Sequence, residues 1–247
     1  MEEKNKIDIS QSMKLMSNKN LEVTLDPSYA GHAVKTSFQR GQSPKLYQGF
    51  LIKSYLAQLI KLIYAHTWKY PRTLAVRFEL LYPKEYSKMP TNEHITQFFK
   101  SLNYRIDKQQ ETKRKAGTRV HQTDVNYCWV KEQDSSEHPH YHVLLLLNKD
   151  SYQGLGNYSD PVSLMGLMRN SWAAALSLTY EQTKGIVNAS EHKNNKRIKP
   201  VHYVNRGSED YQAQLDELIY RGSYLCKLET KRFLNNRSRN FGSSLVN

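Results

Sequence analysis

Cysteine is scarce in this chain. Cys128 and Cys226 are the only two in 247 residues, too few for a disulfide framework and wrongly spaced for a cysteine zinc site. Their scarcity points to a reducing compartment. No apolar run approaches the roughly 18 residues that a membrane helix needs. The opening MEEKNKIDIS holds no hydrophobic segment, so neither a span nor a secretory leader is expected. Nor does G-x-x-x-x-G-K-[ST] occur, which excludes a P-loop NTPase of its own. Acidic residues are also short, 23 Asp and Glu against 36 Lys and Arg, a formal charge of +13. Such an excess suits a polyanion, nucleic acid first and an anionic membrane surface second. A basic, cytoplasmic protein without a membrane partner or small-molecule cofactor follows.

What is present reads as one domain with an extension. Residues 1–45 are polar and without sustained period, and are expected to be flexible. From Tyr47 onward, Ile52, Tyr55, Leu56, Leu59, Ile60 and Ile63 recur at helical spacing and predict a helix ending before Pro71. RTLAVRFELL then alternates, with Leu74, Val76, Phe78 and Leu80 on one strand face and Ala75, Arg77 and Glu79 on the other. A helix is expected over Glu93–Lys108, followed by the basic loop KRKAGTR. Strands follow at Asp124–Glu132 and in HYHVLLLLN, the latter apolar on both faces as a central strand must be. Asp160 is the expected N-cap of a helix with Pro161 at its first position. Gly185–Asn188 and Val201–Asn205 are read as short strands, and a last helix from Ser208 is expected to run past Lys227. The order β-α-β-β-α-β-β-α implies an α+β fold: a central antiparallel sheet of about five strands with flanking helices, ferredoxin-like in character, preceded by a helix.

HPHYH places three histidines in five residues ahead of that apolar strand. On a strand His140 and His142 share a face while Tyr141 points away. Two imidazoles at this spacing can hold a divalent ion if a third ligand arrives from a neighbour, and Glu132, at the end of the preceding strand, is the candidate. Two imidazoles, one carboxylate and open positions make a catalytic rather than a structural arrangement. His138, beside Pro139, is read as a loop residue or as support to the ligands. Downstream, YRGSYLCK sets Tyr220, Tyr224 and Lys227 at i, i+4 and i+7 of the predicted helix, on nearly the opposite face from Leu215, Leu218, Ile219 and Leu225.

An RFELLY strand, an E…H-x-H strand and a Y-x-x-x-Y-x-x-K helix, in that order, resemble the three motifs of HUH endonucleases: rolling-circle replication initiators, relaxases and single-strand transposases. HPHYHVLLLLNKD, YRGSYLCKLETK and RSRNFGSS resemble more closely the YagK/YfjJ C-terminal domain family, inovirus Gp2-type, found in prophages and phage satellites. The likeness runs from about Tyr47 to the C-terminus; Tyr141 departs from it, standing where the HUH pattern usually has an aliphatic residue.

The resemblance implies site-specific nicking and joining of single-stranded DNA or an origin hairpin, initiating rolling-circle replication of a phage or mobile element. His140, His142 and Glu132 would hold Mg²⁺ or Mn²⁺. Tyr224 would attack first and leave a 5′-phosphotyrosine, Tyr220 would be a second nucleophile used in alternation, and Lys227 would favour the phenolate. Phosphate contacts are expected from Lys113, Arg114 and Lys115, from Lys196, Arg197 and Lys199, and from Lys231, Arg232, Arg237 and Arg239, with Tyr203 and Phe233 stacking bases. A DNA-binding regulator on a decayed HUH fold would carry the same charge but has no use for an intact His, Glu, Tyr and Lys set. An RNA-binding module could share the fold, but its K/R-G-F/Y-G/A-F motif is absent.

Overall fold

In a computed structural model, which describes residues 21–39, 46–133, 136–189, 200–229, 231 and 239–244, the helix expected after Tyr47 runs over Lys53–Lys69 (α1). It buries Leu56, Leu59, Leu62 and Ile63, as the spacing predicts. Five further elements and a divided last strand complete a split βαββαβ frame. Strand β1 (Arg72–Leu80) is followed by α2 (Asn92–Lys115), by strands β2 (Asn126–Glu132) and β3 (His140–Asn148), and by α3 (Leu164–Leu176). The fourth strand position is shared by two short pieces, β4 (Val187–Ala189) and β5 (Val201–Asn205), which pair with successive stretches of β1. Helix α4 (Tyr211–Ser223) follows, and β6 (Phe241–Ser243) adds an edge beside β2. Across the six-stranded antiparallel sheet the order is β4 and β5, then β1, β3, β2 and β6.

The sheet has two covered faces because β1 and β3 are central. Leu74, Val76, Phe78, Tyr141, Val143 and Leu145 point to one side and pack against α2 and α3. Ala75, Cys128, Val130, Leu144 and Leu146 point to the other and pack against α1 and α4. Gly222 lets α4 approach this second side: a Cβ there would lie 3.2 Å from Leu59 and 3.5 Å from Leu144. Trp172 on α3 is fully buried and donates its indole N–H to the Leu81 carbonyl at 2.7 Å.

Several boundaries differ from the sequence reading. Helix α2 continues through Lys115, so Lys113–Lys115 form its last turn rather than a loop; cations suit a helix C-terminus, where the carbonyl dipoles end. Ser163, not Asp160, caps α3, its hydroxyl accepting from Gly166 N at 3.0 Å. Asp160 instead closes the preceding turn, accepting from Val162 N at 3.0 Å. Helix α4 stops at Ser223, and Tyr224–Cys226 form a 3₁₀ turn, so the chain does not stay α-helical to Lys227. The Ser223 hydroxyl bonds back to the Tyr220 carbonyl at 2.7 Å and competes with the helical ladder.

Residues 21–39, expected within a flexible extension, are built into the fold. Short strands at Val23–Thr24, Ser28–Tyr29, His32–Ala33 and Ser37–Gln39 lead the chain across the α1 and α4 side, where Val34 and Phe38 are buried. Sequence reading missed them because no strand there exceeds three residues, too short for a period to register.

Candidate metal centre

Register brings the site together. Glu132 stands opposite His140 across β2 and β3, and Glu79 stands opposite His142 across β1 and β3. All four side chains lie on the α1 and α4 side of the sheet, since they alternate with residues of the other face. Cross-strand neighbours on one face sit about 5 Å apart at Cβ, close enough for short side chains to meet. The Nε2 atoms of His140 and His142 are 3.2 Å apart, and His142 Nε2 is 3.3 Å from Glu132 Oε2. The three ligand atoms lie within 4.8 Å of one another, a group that could hold a metal ion. Donors about 2.1 Å from a shared cation lie roughly 3–3.5 Å from each other, so the spacing fits without large movement.

Glu79 was not among the residues singled out from sequence. Its Oε1 lies 3.3 Å from His142 Nδ1, at ion-pairing distance although off the line of a formed hydrogen bond. A carboxylate behind a ligating imidazole fixes the ring and its tautomer. The signal was present in the alternation of RTLAVRFELL, which put Arg77 and Glu79 on the face that His140 and His142 share. Tyr141 occupies the reverse face, fully buried, with its hydroxyl donating to the Thr91 carbonyl at 3.1 Å; burial pushes its phenol up to about 12. A tyrosine is tolerated there because its one polar atom is satisfied.

Charges are concentrated in a small volume. Burial alone would raise the Glu132 carboxyl, yet Lys231, His142 and Lys227 together hold it well below the usual carboxylate range. Burial likewise opposes charge on His142, but Glu132 and Glu79 on either side raise its pKa above that of a free imidazole. His140, partly exposed, moves the other way through burial and the neighbouring His142. Lys231 Nζ lies 3.3 Å from Glu132 Oε1 and also donates to the Lys227 carbonyl. Being 4% exposed, it is a buried partner of Glu132 and not the surface phosphate contact that its basic tract suggested. Oε1 is thus taken by Lys231 while Oε2 faces His142.

Tyr224 and Lys227 join this cluster. The Tyr224 ring lies edge-on to His142 with centroids 5.7 Å apart, and Lys227 Nζ donates to the Tyr224 hydroxyl at 3.2 Å. Lys227, also 4% exposed, stands 3.8 Å from Glu132 Oε2. Its backbone is fixed by a bridge to Leu51, and the next residue donates to the Phe50 carbonyl at 2.8 Å. Tyr220 is one turn back on α4, 38% exposed, and touches none of the cluster among the described contacts. The 3₁₀ turn takes Lys227 off the helical face on which the three residues were expected to align. His138 lies with Tyr82 and Tyr86, at ring distances of 6.0 and 6.3 Å, rather than behind the two ligands.

The expected phosphate contacts are scattered. Lys113, Arg114 and Lys115 end α2 on the other face, roughly 36 Å from the helix start at 1.5 Å per residue. That start is at the site end, where Asn92 bonds the Lys131 ammonium and the Arg239 carbonyl. Arg239 is therefore at the site end of the β2 edge and exposed. Lys196, Arg197, Lys199, Arg232, Arg237 and Phe233 lie outside the described residues. Tyr203 on β5 is 41% exposed, its hydroxyl donating to the Gln153 carbonyl at 2.8 Å.

The family model of the YagK/YfjJ C-terminal domain matches residues 34–244. Among curated proteins, the chain is 32% identical over 213 residues to the uncharacterised protein YagK of Escherichia coli (strain K12), covering 82% of this chain and 99% of that one. It is 28% identical over 153 residues to the uncharacterised protein YfjJ of the same organism, covering 61% of this chain and 70% of that one. No solved structure matches. No described helix is long and apolar enough to cross a membrane.

Proposed function

The chain belongs to the YagK/YfjJ C-terminal domain family, and from that premise we propose that it is an HUH-type nicking enzyme, cutting and rejoining single-stranded DNA through Tyr224. One observation carries the reading: His140, His142 and Glu132 converge on a common point beside the Tyr224 ring. The residues fit a hard divalent cation with open positions, and Mg²⁺ or Mn²⁺ suits a set of two imidazoles and one carboxylate. When bound there, the cation supplies Lewis-acid polarisation of a phosphate oxygen.

The chain's own residues do the rest. Glu79 holds the His142 ring and Lys231 holds Glu132, so the ligands are oriented before substrate arrives. The Tyr224 oxygen attacks phosphorus; the new O–P bond forms as the P–O3′ bond breaks. The 5′-phosphate stays on the tyrosine, and the departing 3′-oxygen takes up a proton as a free hydroxyl. Attack by a 3′-hydroxyl on the phosphotyrosine runs the same exchange backwards and rejoins the strand. Lys227, bonded to the phenolic oxygen, sets a positive charge beside the attacking atom, and the phenolic proton passes to solvent as the O–P bond forms. Tyr224 is the nucleophile that this geometry favours. Tyr220 would have to be brought inward to act in alternation. Initiation of rolling-circle replication of a mobile element, with a host helicase, is the role that this chemistry serves.

A non-catalytic DNA-binding protein is the second reading, favoured by the pairing of Glu132 with a buried ammonium, which a metal ligand does not need. Incubation with single-stranded fragments of the chain's own element and Mn²⁺ separates the two. Nicking gives a protein–DNA adduct that survives SDS and disappears in Tyr224→Phe; a binding-only protein gives none with any fragment.

A further inference from the structure

Cations surround the Tyr224 ring. The Arg77 guanidinium carbon lies 4.2 Å from its centroid, Lys227 Nζ 4.6 Å and Lys35 Nζ 6.0 Å. They come from separate parts of the chain: Arg77 from β1, Lys227 from behind the 3₁₀ turn, and Lys35 from the segment before Ser37. Lys35 is fixed by its backbone N–H, which donates to the buried Ser223 hydroxyl at 2.8 Å.

Arg221 on α4 lies within electrostatic reach of Arg77. Burial lowers its pKa, Glu217 opposes that, and Arg77 adds to the lowering. Burial also lowers the Lys35 ammonium, followed by repulsion from Arg77 and Lys227, with Glu217 offsetting only part. Of the other carboxylates nearby, Glu79 is engaged with His142, Glu132 with His142, Lys231 and Lys227, and Glu229 accepts from Phe50 N. The Arg77 Nε is buried and makes no hydrogen bond. Like charges gathered at the rim of a site repel one another, and a donor without an acceptor adds to the cost. Both costs fall when a polyvalent anion with several acceptor oxygens enters, and guanidinium is the group best shaped for a phosphate.

We propose that Arg77 and Lys35 form a phosphodiester-binding subsite beside Tyr224, which seats the backbone of single-stranded DNA against the nucleophile. Its place in catalysis rests on the nicking reading, but its binding chemistry can be tested without it.

The full chain is titrated in EDTA, where no metal-dependent cutting occurs, with fluorescent octathymidylate and with an all-methylphosphonate octamer that lacks backbone charge. Arg77→Gln should weaken binding of the charged octamer about tenfold and lower the salt slope by about 0.7, the loss of one phosphate contact. Lys35→Gln, at a half-exposed position that spares the fold, should lower the slope similarly, and Arg77→Lys should recover part of the affinity. The neutral octamer should bind all forms alike. Unchanged affinity and slope in both folded glutamine variants would overturn the subsite. Inorganic phosphate that binds more tightly than the octamer, in an Arg77-dependent way, would overturn the subsite's assignment to a nucleic-acid backbone. A subsite confirmed in EDTA with no adduct in Mn²⁺ sinks the nicking reading alone. An adduct with binding indifferent to both residues sinks the subsite alone.

Discussion

Two histidines are buried at opposite ends of the sheet, and their surroundings move them in opposite directions. His66, on α1 near the Leu147 end of β3, is 3% exposed and neither ring nitrogen makes a well-formed hydrogen bond. Burial lowers its pKa to about 4, the Leu147 carbonyl and Asn126 offsetting only part. His142, at the other end, is 5% exposed, yet its pKa is raised by Glu132 and Glu79. One end tolerates an imidazole by keeping it neutral. The other sets it between two carboxylates, of which Glu132 is itself held by Lys231 and Lys227. Between them, Ala75, Cys128, Leu144 and Leu146 show how the same face is filled when only packing matters. Buried charge of this density is costly to assemble, and its concentration at one end, beside a tyrosine, is what makes that end the candidate site.

The largest expected difference between the ends is in chemistry. Replacing His140 and His142 together with alanine should abolish adduct formation while leaving affinity for single-stranded DNA largely intact, because affinity resides in Lys and Arg. His66→Leu should leave the adduct yield unchanged. If the double variant still forms adduct in EDTA, the site end has no metal role.

Next in size is the stability of the charged cluster. Glu132→Gln leaves the Lys231 ammonium buried without its partner and should destabilise the fold by about 3–5 kcal/mol in urea unfolding. Adding Lys231→Met should recover much of that loss. No recovery would mean that Lys231 is not held by Glu132.

The far end has its own signature, in pH. A histidine whose folded pKa is depressed is stabilising to leave neutral, and its protonation favours the unfolded chain. The cost is absent above an unfolded value near 6.5 and grows as pH falls towards about 4. Stability of the parent relative to His66→Leu should therefore drop by about 3 kcal/mol between pH 6.5 and 4, and equal slopes in the two proteins would remove His66 from the comparison.

The smallest effect tests the support behind the ligands. Glu79→Gln should weaken Mn²⁺ binding about 10–100-fold without loss of fold. Unchanged affinity would show that Glu79 does not orient His142.

Most of the frame was legible because long elements carry long periods. The 17-residue α1 and the alternating β1 announce themselves, and the pairing of Glu132 with His140 follows from the pleat. Two kinds of feature were not legible. Lys35 reaches the site from a segment whose strands span two or three residues, and its position depends on a hydrogen bond to Ser223, 188 residues away. Lys231 sits in a run of basic residues that composition reads as surface, and only tertiary packing turns it inward. The end of α4 was missed for a local reason, since a serine back-bond inside a good helical pattern leaves no mark on the period.

The central claim is that the charged end of the sheet is a metal centre. Its most direct test is the electron spin echo of Mn²⁺ titrated into the full chain. One bound ion with nitrogen couplings from imidazole is expected, and His140→Ala with His142→Ala should remove those couplings. Mn²⁺ bound without nitrogen coupling, or a spectrum unchanged in the double variant, would contradict the claim.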